Sequence, residues 1–523
     1  MLVLDLGIWL GYKAAGDHSS ERISKLEKLF SLISDEYVDK IDMDSLVEKS
    51  IPDILAYLDP HTVYIPASEL ETMNNELEGS FSGIGVKFQL VNDTVVVAET
   101  IIDGPAEKVG IKAGDRILEA DKIKLYGPDI TQEKVFKMLR GEKYSMVNLK
   151  IKRPGVKGTT EYKVRRMEVP VKSVDTYFML EDGVGYMQVS QFGRNTYEEF
   201  MVALADLKSQ GARKMVIDLR GNTGGFIEPS ILMANEFLPA GRGIVYTRGR
   251  NKENELHADS DGGGQYQDME ITVLMDEYSA SASEMFAGAI QDNDRGLIIG
   301  RRSFGKGLVQ NQITLPDNSA IRLTVARYYT PSGRSIQKIY TPGAGGKYEM
   351  DILERFTHGE LYSADSIKID KSKRYKTVNG RTVYGGGGII PDIFVGADTT
   401  GFTSYYVNVM NKGLVHRYAM NVADNYRNYI TGSKSIDKVL KMIPRDQMLL
   451  NNFVQFAASQ GVPARWYYIN RSRGLLLSQI KANIVRDLLG YNAYIEMTSK
   501  DDKMLKCAVN KLKSGKSPTS IKK

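Results

Sequence analysis

The chain has 523 residues, of which 42% are hydrophobic and 25% are charged, a balance typical of folded soluble protein. This length predicts roughly two to four domains. The net charge of +5 is spread over 69 basic and 64 acidic residues, which argues against nucleic acid as a partner. A single cysteine, Cys507, excludes an internal disulfide, and the five histidines lack the spacing of metal ligands. We therefore expect neither a metal ion nor a cofactor.

Residues 1–75 are predicted to form an N-terminal helical region. Apolar side chains recur every three or four residues over 23–33 and again over 47–55, the spacing of a buried helix face. Before them, residues 2–10 form a short apolar patch that Asp5 interrupts. An export signal needs a basic start and a longer apolar core. We interpret the patch as an incomplete export signal or anchor, or equally as an apolar cap on a helix.

Residues 76–172 change to the two-residue period of β-strands, with a hairpin turn at Asn92-Asp93. Strands are predicted near 83–88, 94–98, 147–151 and 161–164, and a helix at 133–139. This order resembles a PDZ domain, which binds a peptide C-terminus as an added strand. The resemblance implies that backbone N–H groups of one loop hold the substrate carboxylate, and the loop residues are Gly83, Ile84, Gly85 and Val86. A small, purely structural β-barrel is the alternative.

Residues 173–400 alternate apolar strands with helices, which predicts an α/β core with parallel strands. Strands are expected at 183–189, 215–219 and 271–275, and a helix at 196–210. After residue 400 the composition shifts to helix formers, with an apolar stripe over 475–488 and a further helix over 501–512. Residues 401–523 are therefore predicted to be a C-terminal helical region.

A serine-rich turn, residues 278–284, follows the strand at 271–275 and opens an apolar helix. Ser281 lies at the start of that helix, where backbone N–H groups lack helical partners. The N–H of Ala282 could therefore stabilise an oxyanion, and Gly224 or Gly225 could supply a second N–H. Such donors contribute about 3 to 4 kcal/mol each in acyl transfer.

The base for this serine is not predicted to be an imidazole, because no histidine lies between residues 258 and 357. Lys306 lies between two glycines and apolar neighbours. A free lysine has a pKa near 10.4, and lowering it to near 7 disfavours the charge by about 4 kcal/mol, which burial can supply. Gln310 could hold the neutral amine. Glu284 would raise the pKa if it paired with the lysine, so we assign it a supporting or substrate-facing role.

Serines at a helix start are ordinarily caps, and a lysine between glycines is ordinarily a surface turn. Together, however, these residues fall into an ordered set of motifs over about residues 58–395. The set comprises Leu58-Asp59-Pro60-His61, the PDZ blocks, Asp218-Leu219-Arg220-Gly221-Asn222, Ser279 to Glu284, Gly305-Lys306-Gly307 with Gln310, and Tyr384 to Asp392. In this set the chain resembles the carboxy-terminal processing (tail-specific) proteases. The resemblance implies that Ser281 is the nucleophile, Lys306 the base and Gln310 the residue that orients the lysine. It also implies that Arg140 links substrate docking to an active protease.

The implied fold is an α+β multidomain protein, with a crotonase/ClpP-like α/β protease core, an inserted PDZ domain and helical ends. The implied function is a serine endopeptidase that selects proteins by an exposed apolar C-terminus and uses a Ser-Lys dyad. The resemblance also implies a periplasmic or envelope location. Membrane proximity and a homo-oligomer formed through the helical ends are further expectations. The alternatives are an inactive PDZ scaffold and an acyl-CoA-type enzyme on the same core.

Overall fold

The computed structural model describes residues 24–515, apart from 175, 182 and 431–434. The apolar patch at 2–10 therefore lies outside the described residues. The contacts divide the chain into two compact units. The first contains the described residues up to Leu70 together with Gln310–Thr324 and Tyr340–Glu349. The second contains the rest.

The N-terminal elements are helices with one short strand. They are α1 (24–36), α2 (Met43–Ala56), β1 (Val63–Ile65) and α3 (Ala67–Glu78). The prediction of helices is confirmed, but it was wrong for β1, which pairs antiparallel with residues 320–322. Just before β1, the Asp59 carboxylate accepts the N–H groups of His61 (2.9 Å) and Thr62 (3.0 Å). A three-residue strand has no visible period, so only pairing with a distant segment reveals it.

The PDZ-like module is an antiparallel sheet with one flanking helix of eight residues. Its elements are β2 (Ser80–Gly83), β3 (Val86–Leu90), β4 (Val95–Thr100), α4 (Pro105–Lys108), β5 (Arg116–Ala120), β6 (Ile123–Lys124), α5 (Gln132–Leu139), β7 (Met146–Lys152), β8 (Thr160–Arg165) and β9 (Met167–Pro170). The strand order is β3-β4-β5-β7-β8, which places β3 at an edge. Asn92 and Asp93 have φ of 49° and 53°, as the predicted hairpin turn requires. The chain enters and leaves the module through the paired strands β2 and β9.

The α/β core follows. Its elements are β10 (Thr176–Met179), β11 (Val184–Gln188), α6 (Thr196–Ser209), β12 (Lys214–Asp218), α7 (Ile227–Asn235), β13 (Gly243–Gly249), β14 (His257–Asp259), β15 (Glu270–Met275), α8 (Ala282–Asp292), β16 (Gly296–Gly300), β17 (Leu308–Thr314), β18 (Ala320–Tyr329), α9 (Gly345–Glu349), α10 (Asp351–Thr357), β19 (Arg374–Lys376), β20 (Thr382–Tyr384) and β21 (Ile393–Phe394). The main sheet has the order β10-β11-β12-β15-β16-β21, and every neighbouring pair except β10 and β11 is parallel. The predicted α/β core is confirmed. The loops after β11, β12, β15 and β16 therefore meet at one edge of the sheet, where α/β folds place their ligands.

The C-terminal region is helical, as predicted. Its helices are α11 (Ser404–Asn411), α12 (Leu414–Tyr426), α13 (Ile436–Met442), α14 (Asp446–Ser459), α15 (Trp466–Arg471), α16 (Arg473–Leu489), α17 (Tyr491–Ser499) and α18 (Lys503–Lys513). Helices α11 to α16 share one apolar cluster. Helix α18 instead packs on the core sheet, where Met504 and Leu505 lie among buried residues of β11, β12, β15 and β16. No helix in the described ranges is long and apolar enough to cross a bilayer.

Candidate active site

Three serines lie between β15 and α8, and their side chains differ in what they contact. Ser279 is buried and its hydroxyl donates to the carbonyl of Leu219 at 2.8 Å. Ser283 is also buried and donates to the carbonyl of Asn222 at 2.9 Å. Ser281, between them, stays partly exposed. The outer two serines therefore hold the turn against the loop after β12, and only the middle one of the three keeps a solvent-accessible surface.

Ser281 has a backbone conformation that non-glycine residues rarely adopt, with φ of 56° and ψ of −117°. Such a residue costs of the order of 1–3 kcal/mol and persists only where its surroundings impose it. Here its N–H donates to the Glu284 carboxylate at 2.9 Å, and its carbonyl accepts from the Tyr328 hydroxyl at 3.0 Å. A serine forced onto a tight strand-to-helix turn is the arrangement that exposes a nucleophile in other hydrolases.

This strain predicts that Ser281→Gly is more stable than Ser281→Ala, although both lack the hydroxyl. Glycine adopts positive φ without steric cost, whereas alanine keeps the Cβ. We expect the glycine variant to be more stable by about 1 kcal/mol in urea unfolding. Equal stability, or a less stable glycine variant, would show that the turn is not strained.

Glu284 links the backbones of Ser281 and Lys306. Its Oε2 accepts both the N–H of Ser281 at 2.9 Å and the N–H of Lys306 at 2.8 Å. Its Oε1 accepts the Ser303 hydroxyl at 2.5 Å and the Gly305 N–H at 2.7 Å. Burial raises the pKa of this carboxyl group, and the four hydrogen bonds lower it only in part. The predicted supporting role of Glu284 thus has a definite geometry: the carboxylate holds main-chain N–H groups.

Tyr328 joins the same two residues on their carbonyl side. Its hydroxyl lies 3.0 Å from the carbonyl oxygen of Ser281 and 2.9 Å from that of Lys306, and shares its proton between them. The ring is buried against the core. Sequence reasoning missed this residue, because one tyrosine in an apolar strand gives no signal of what its hydroxyl contacts.

The loop that carries Lys306 is held on further sides by residues outside the predicted motifs. The guanidinium of Arg355, which is 1% exposed, donates to the carbonyls of Ser303 at 2.7 Å and Phe304 at 3.1 Å. The side chain of Gln337 accepts the N–H of Gly307 at 2.7 Å. The loop around Lys306 is therefore fixed by hydrogen bonds to Arg355 and Gln337, unlike an ordinary surface turn.

The loop after β12 lies directly against the serine turn. A Cβ placed on Gly224 would come within 2.7 Å of the Ser281 Cβ, so only glycine fits there. The N–H of Gly224, however, donates to Asn222 at 2.8 Å. The N–H groups of Gly225 and Ala282 have no hydrogen-bond partner within the described part of the chain. Of the predicted oxyanion donors, Gly225 and Ala282 are the two whose N–H groups remain available.

Comparison with known proteins gives consistent matches. Residues 183–344 match Peptidase family S41, residues 82–164 a PDZ domain, residues 11–69 the activating protease CtpB N-terminal domain, and residues 405–490 a family of unknown function. A carboxy-terminal-processing protease of Bartonella bacilliformis is 36% identical over 366 residues, covering 69% of this chain and 81% of the relative. This chain belongs to the carboxy-terminal processing proteases of family S41.

Two further relatives carry similar names. The carboxy-terminal processing protease CtpB of Bacillus subtilis is 32% identical over 363 residues, covering 68% of this chain and 74% of its own. The solved photosystem II D1 C-terminal processing protease is 30% identical and covers 60% of this chain and 90% of that chain, with a TM-score of 0.34. The family matches and the two curated relatives make this protein a serine-type peptidase with a PDZ domain, and its substrates are proteins or peptides.

The loop predicted to hold a substrate carboxylate contains a glycine with a positive φ. Gly85 has φ of 74°, and a Cβ there would lie 3.1 Å from Pro105. The carbonyls of Ile84 and Gly85 accept hydrogen bonds at 2.9 and 3.0 Å. The Gly85 N–H has no hydrogen-bond partner among the residues that the structure describes, whereas the antiparallel bridge between Gly83 and Arg140 directs the Ile84 N–H toward the end of α5. Backbone N–H groups at such a positive-φ glycine can contribute to an anion-binding concavity.

Arg140 and Gln310 lie in different surroundings. Arg140 follows α5, and its guanidinium lies 4.5 Å from the ring centres of both Phe81 in β2 and Phe136 in α5. It thus connects the PDZ helix with the strand pair that leads out of the module.

Gln310 belongs to the first unit, where its side-chain amide donates to the carbonyl of His61. The role of Gln310 as orienter of the lysine stays a prediction.

Proposed function

We propose that this S41 protease is an endopeptidase that selects proteins by their C-terminal tail, with Ser281 as nucleophile and Lys306 as general base. One observation carries the proposal. Ser281 alone of three clustered serines is partly exposed and strained, and its backbone shares Glu284 and Tyr328 with that of Lys306. Two residues clamped at both their N–H and carbonyl groups are positioned to act together.

The proposed reaction proceeds in two steps. The neutral amine of Lys306 takes the proton from the Ser281 hydroxyl as the oxygen attacks the scissile carbonyl carbon. The N–H groups of Gly225 and Ala282 stabilise the resulting oxyanion. Lys306 then gives the proton to the leaving amine, which leaves an acyl-enzyme. A water molecule, deprotonated by Lys306, attacks the ester carbonyl carbon. Lys306 returns this proton to the Ser281 oxygen as it leaves, which releases the carboxylic acid product and restores the serine hydroxyl and the neutral amine.

Selection of the tail rests on the PDZ domain. The substrate C-terminus adds as a strand to the edge of β3, and its carboxylate accepts backbone N–H groups of the loop from Gly83 to Val86. Apolar side chains of the tail face the groove between β3 and α5, where Phe88 and Phe136 pack edge to face with ring centres 5.1 Å apart. An apolar tail is therefore the preferred substrate class.

Amidation of the substrate C-terminus tests this proposal. An unfolded reporter with an apolar tail is expected to be cleaved about ten- to hundred-fold more slowly, in kcat/KM, when its terminal carboxylate is an amide. The reason is that hydrogen bonds to a charged group contribute about 1.5–3 kcal/mol. The Ser281→Ala variant should bind both forms with the same difference and cleave neither. Equal cleavage of acid and amide would remove carboxylate capture from the proposal. Binding without any cleavage by the wild-type protein would instead favour the inactive scaffold.

A further inference from the structure

A cavity of about 300 Å³ lies where three parts of the second unit meet. One wall is the β3–β4 pair of the PDZ domain, a second is the end of β11, and the third is the junction of α16 and α17. Residues from all three parts line it, among them Lys87, Gln89, Glu99, Gln188, Arg486 and Tyr491. Because β11 ends at the sheet edge that carries the serine turn, the cavity lies between the proposed tail-binding strand and the core.

The C-terminal helices, which form the third wall of the cavity, pack against the PDZ domain through α12. Arg116 in β5 forms an ion pair of 2.5 Å with Asp424 in α12, and the two side chains are only 19% and 14% exposed. Met420, also in α12, is buried with Val91 and Val96 of the β3–β4 hairpin. The helices therefore cover the outer face of this hairpin as a fixed part of the structure.

The side chains of β3 divide between two faces. Val86, Phe88 and Leu90 pack on the PDZ core, and Lys87 and Gln89 line the cavity on the other side; Phe88, at an irregularity in the β3–β4 pairing, also borders the cavity. A peptide added as a strand to β3 alternates in the same way. If the last side chain of the tail faces the apolar groove, then the penultimate side chain faces the side of Lys87 and Gln89. The helical region then contacts side chains of the substrate that the PDZ groove does not.

The cation available in this cavity is Arg486. Its guanidinium lies 5.9 Å from the ring centres of both Tyr491 and Tyr494, and no carboxylate in the described ranges is within ion-pair distance of it. Glu99 pairs with Lys87 at 3.4 Å. Asp487 also lines the cavity; its Oδ1 lies 3.5 Å from Nε2 of His416, and its Oδ2 has no hydrogen-bond partner in the described ranges.

We propose that the α16–α17 junction is a specificity site in which Arg486 binds an acidic side chain at the penultimate position of the substrate tail. This inference rests on the proposed function, because it requires a tail bound along β3. It assigns part of substrate selection to the C-terminal helical region, outside both the PDZ groove and the catalytic residues. The preferred tail then ends in an acidic residue followed by an apolar one.

The test uses the full-length protein and three reporters that differ only in the penultimate residue: Glu, Gln or Lys. We expect the Glu reporter to have a kcat/KM about five- to ten-fold above the Gln reporter, with Lys lowest. Arg486→Glu should reverse the order and favour Lys. Arg471→Glu is the matched control, because Arg471 also stacks on a tyrosine, 5.8 Å from the ring centre of Tyr467, but lies exposed on α15. It should keep the wild-type order.

Should the Arg486→Glu variant unfold, Arg486→Gln serves in its place and should cleave the three reporters at equal rates. The same order of reporters in wild type and in either Arg486 variant would overturn the inference, as would equal rates in the wild type. These outcomes are separate from failure of the proposed function. That failure would appear as cleavage by Ser281→Ala, or as no effect of amidation on any reporter.

Discussion

Replacing Lys306 by alanine is expected to reduce kcat on an unfolded reporter by about 10²- to 10⁴-fold, the contribution of a general base. The serine hydroxyl would then have no base, while the fold should persist, because the loop is held through main-chain groups that alanine also has. The N–H of residue 306 donates to Glu284 and its carbonyl accepts from Tyr328. The measurement is kcat together with the burst of acyl-enzyme.

Two companion variants make this test specific. Lys306→Arg should be as inactive as Lys306→Ala, because a guanidinium stays charged and cannot accept a proton. Lys338 is the rival base, since burial lowers its pKa, although the ion pair with Asp351 at 3.1 Å opposes the shift. Lys338→Ala should retain cleavage. Full activity in Lys306→Ala, or loss confined to Lys338→Ala, would reject the dyad.

Glu284→Gln is expected to lower both stability and turnover. Each oxygen of the carboxylate accepts two hydrogen bonds, so the group has four donors around it. A glutamine presents an NH₂ group to two of them, and the less costly orientation turns it toward Ser303 and Gly305, because the Ser303 hydroxyl can rotate and accept. One buried N–H then stays unpaired, so unfolding should need about 1–3 kcal/mol less free energy.

Measuring kcat and KM of the Glu284→Gln variant distinguishes a role in positioning Ser281 and Lys306 from a role in stability alone. Because Glu284 contacts the backbones of the proposed nucleophile and the proposed base and not the PDZ groove, kcat should fall by about 10²-fold while KM changes little. Tyr328→Phe is the matched variant, since it removes only the hydroxyl that joins the two carbonyls, and should lower kcat less. A Glu284→Gln variant with normal kcat at a temperature where it is folded would show that this carboxylate supports the fold alone.

How far the sequence could predict this protein depends on how local each signal is. The parallel strands, the PDZ hairpin at Asn92-Asp93 and helix α8 were predicted correctly, because their patterns lie within a few neighbouring residues. Strand β1 was missed because it exists only through its pairing with residues 320–322. The same limit applies to α18, whose apolar face is visible in the sequence although its packing partner, the core sheet, is not.

At the candidate site, the sequence by itself determined the residue types and their order: a serine at a helix start, a lysine between glycines and no nearby histidine. It also favoured Ser281 over its neighbours by position. Only the tertiary structure decided what surrounds them. Tyr328 and Arg355 come from β18 and α10, and their contacts to the Lys306 loop depend on how distant segments pack together. Sequence patterns report the preferences of neighbouring residues, whereas hydrogen bonds between distant segments form only once the core brings those segments together.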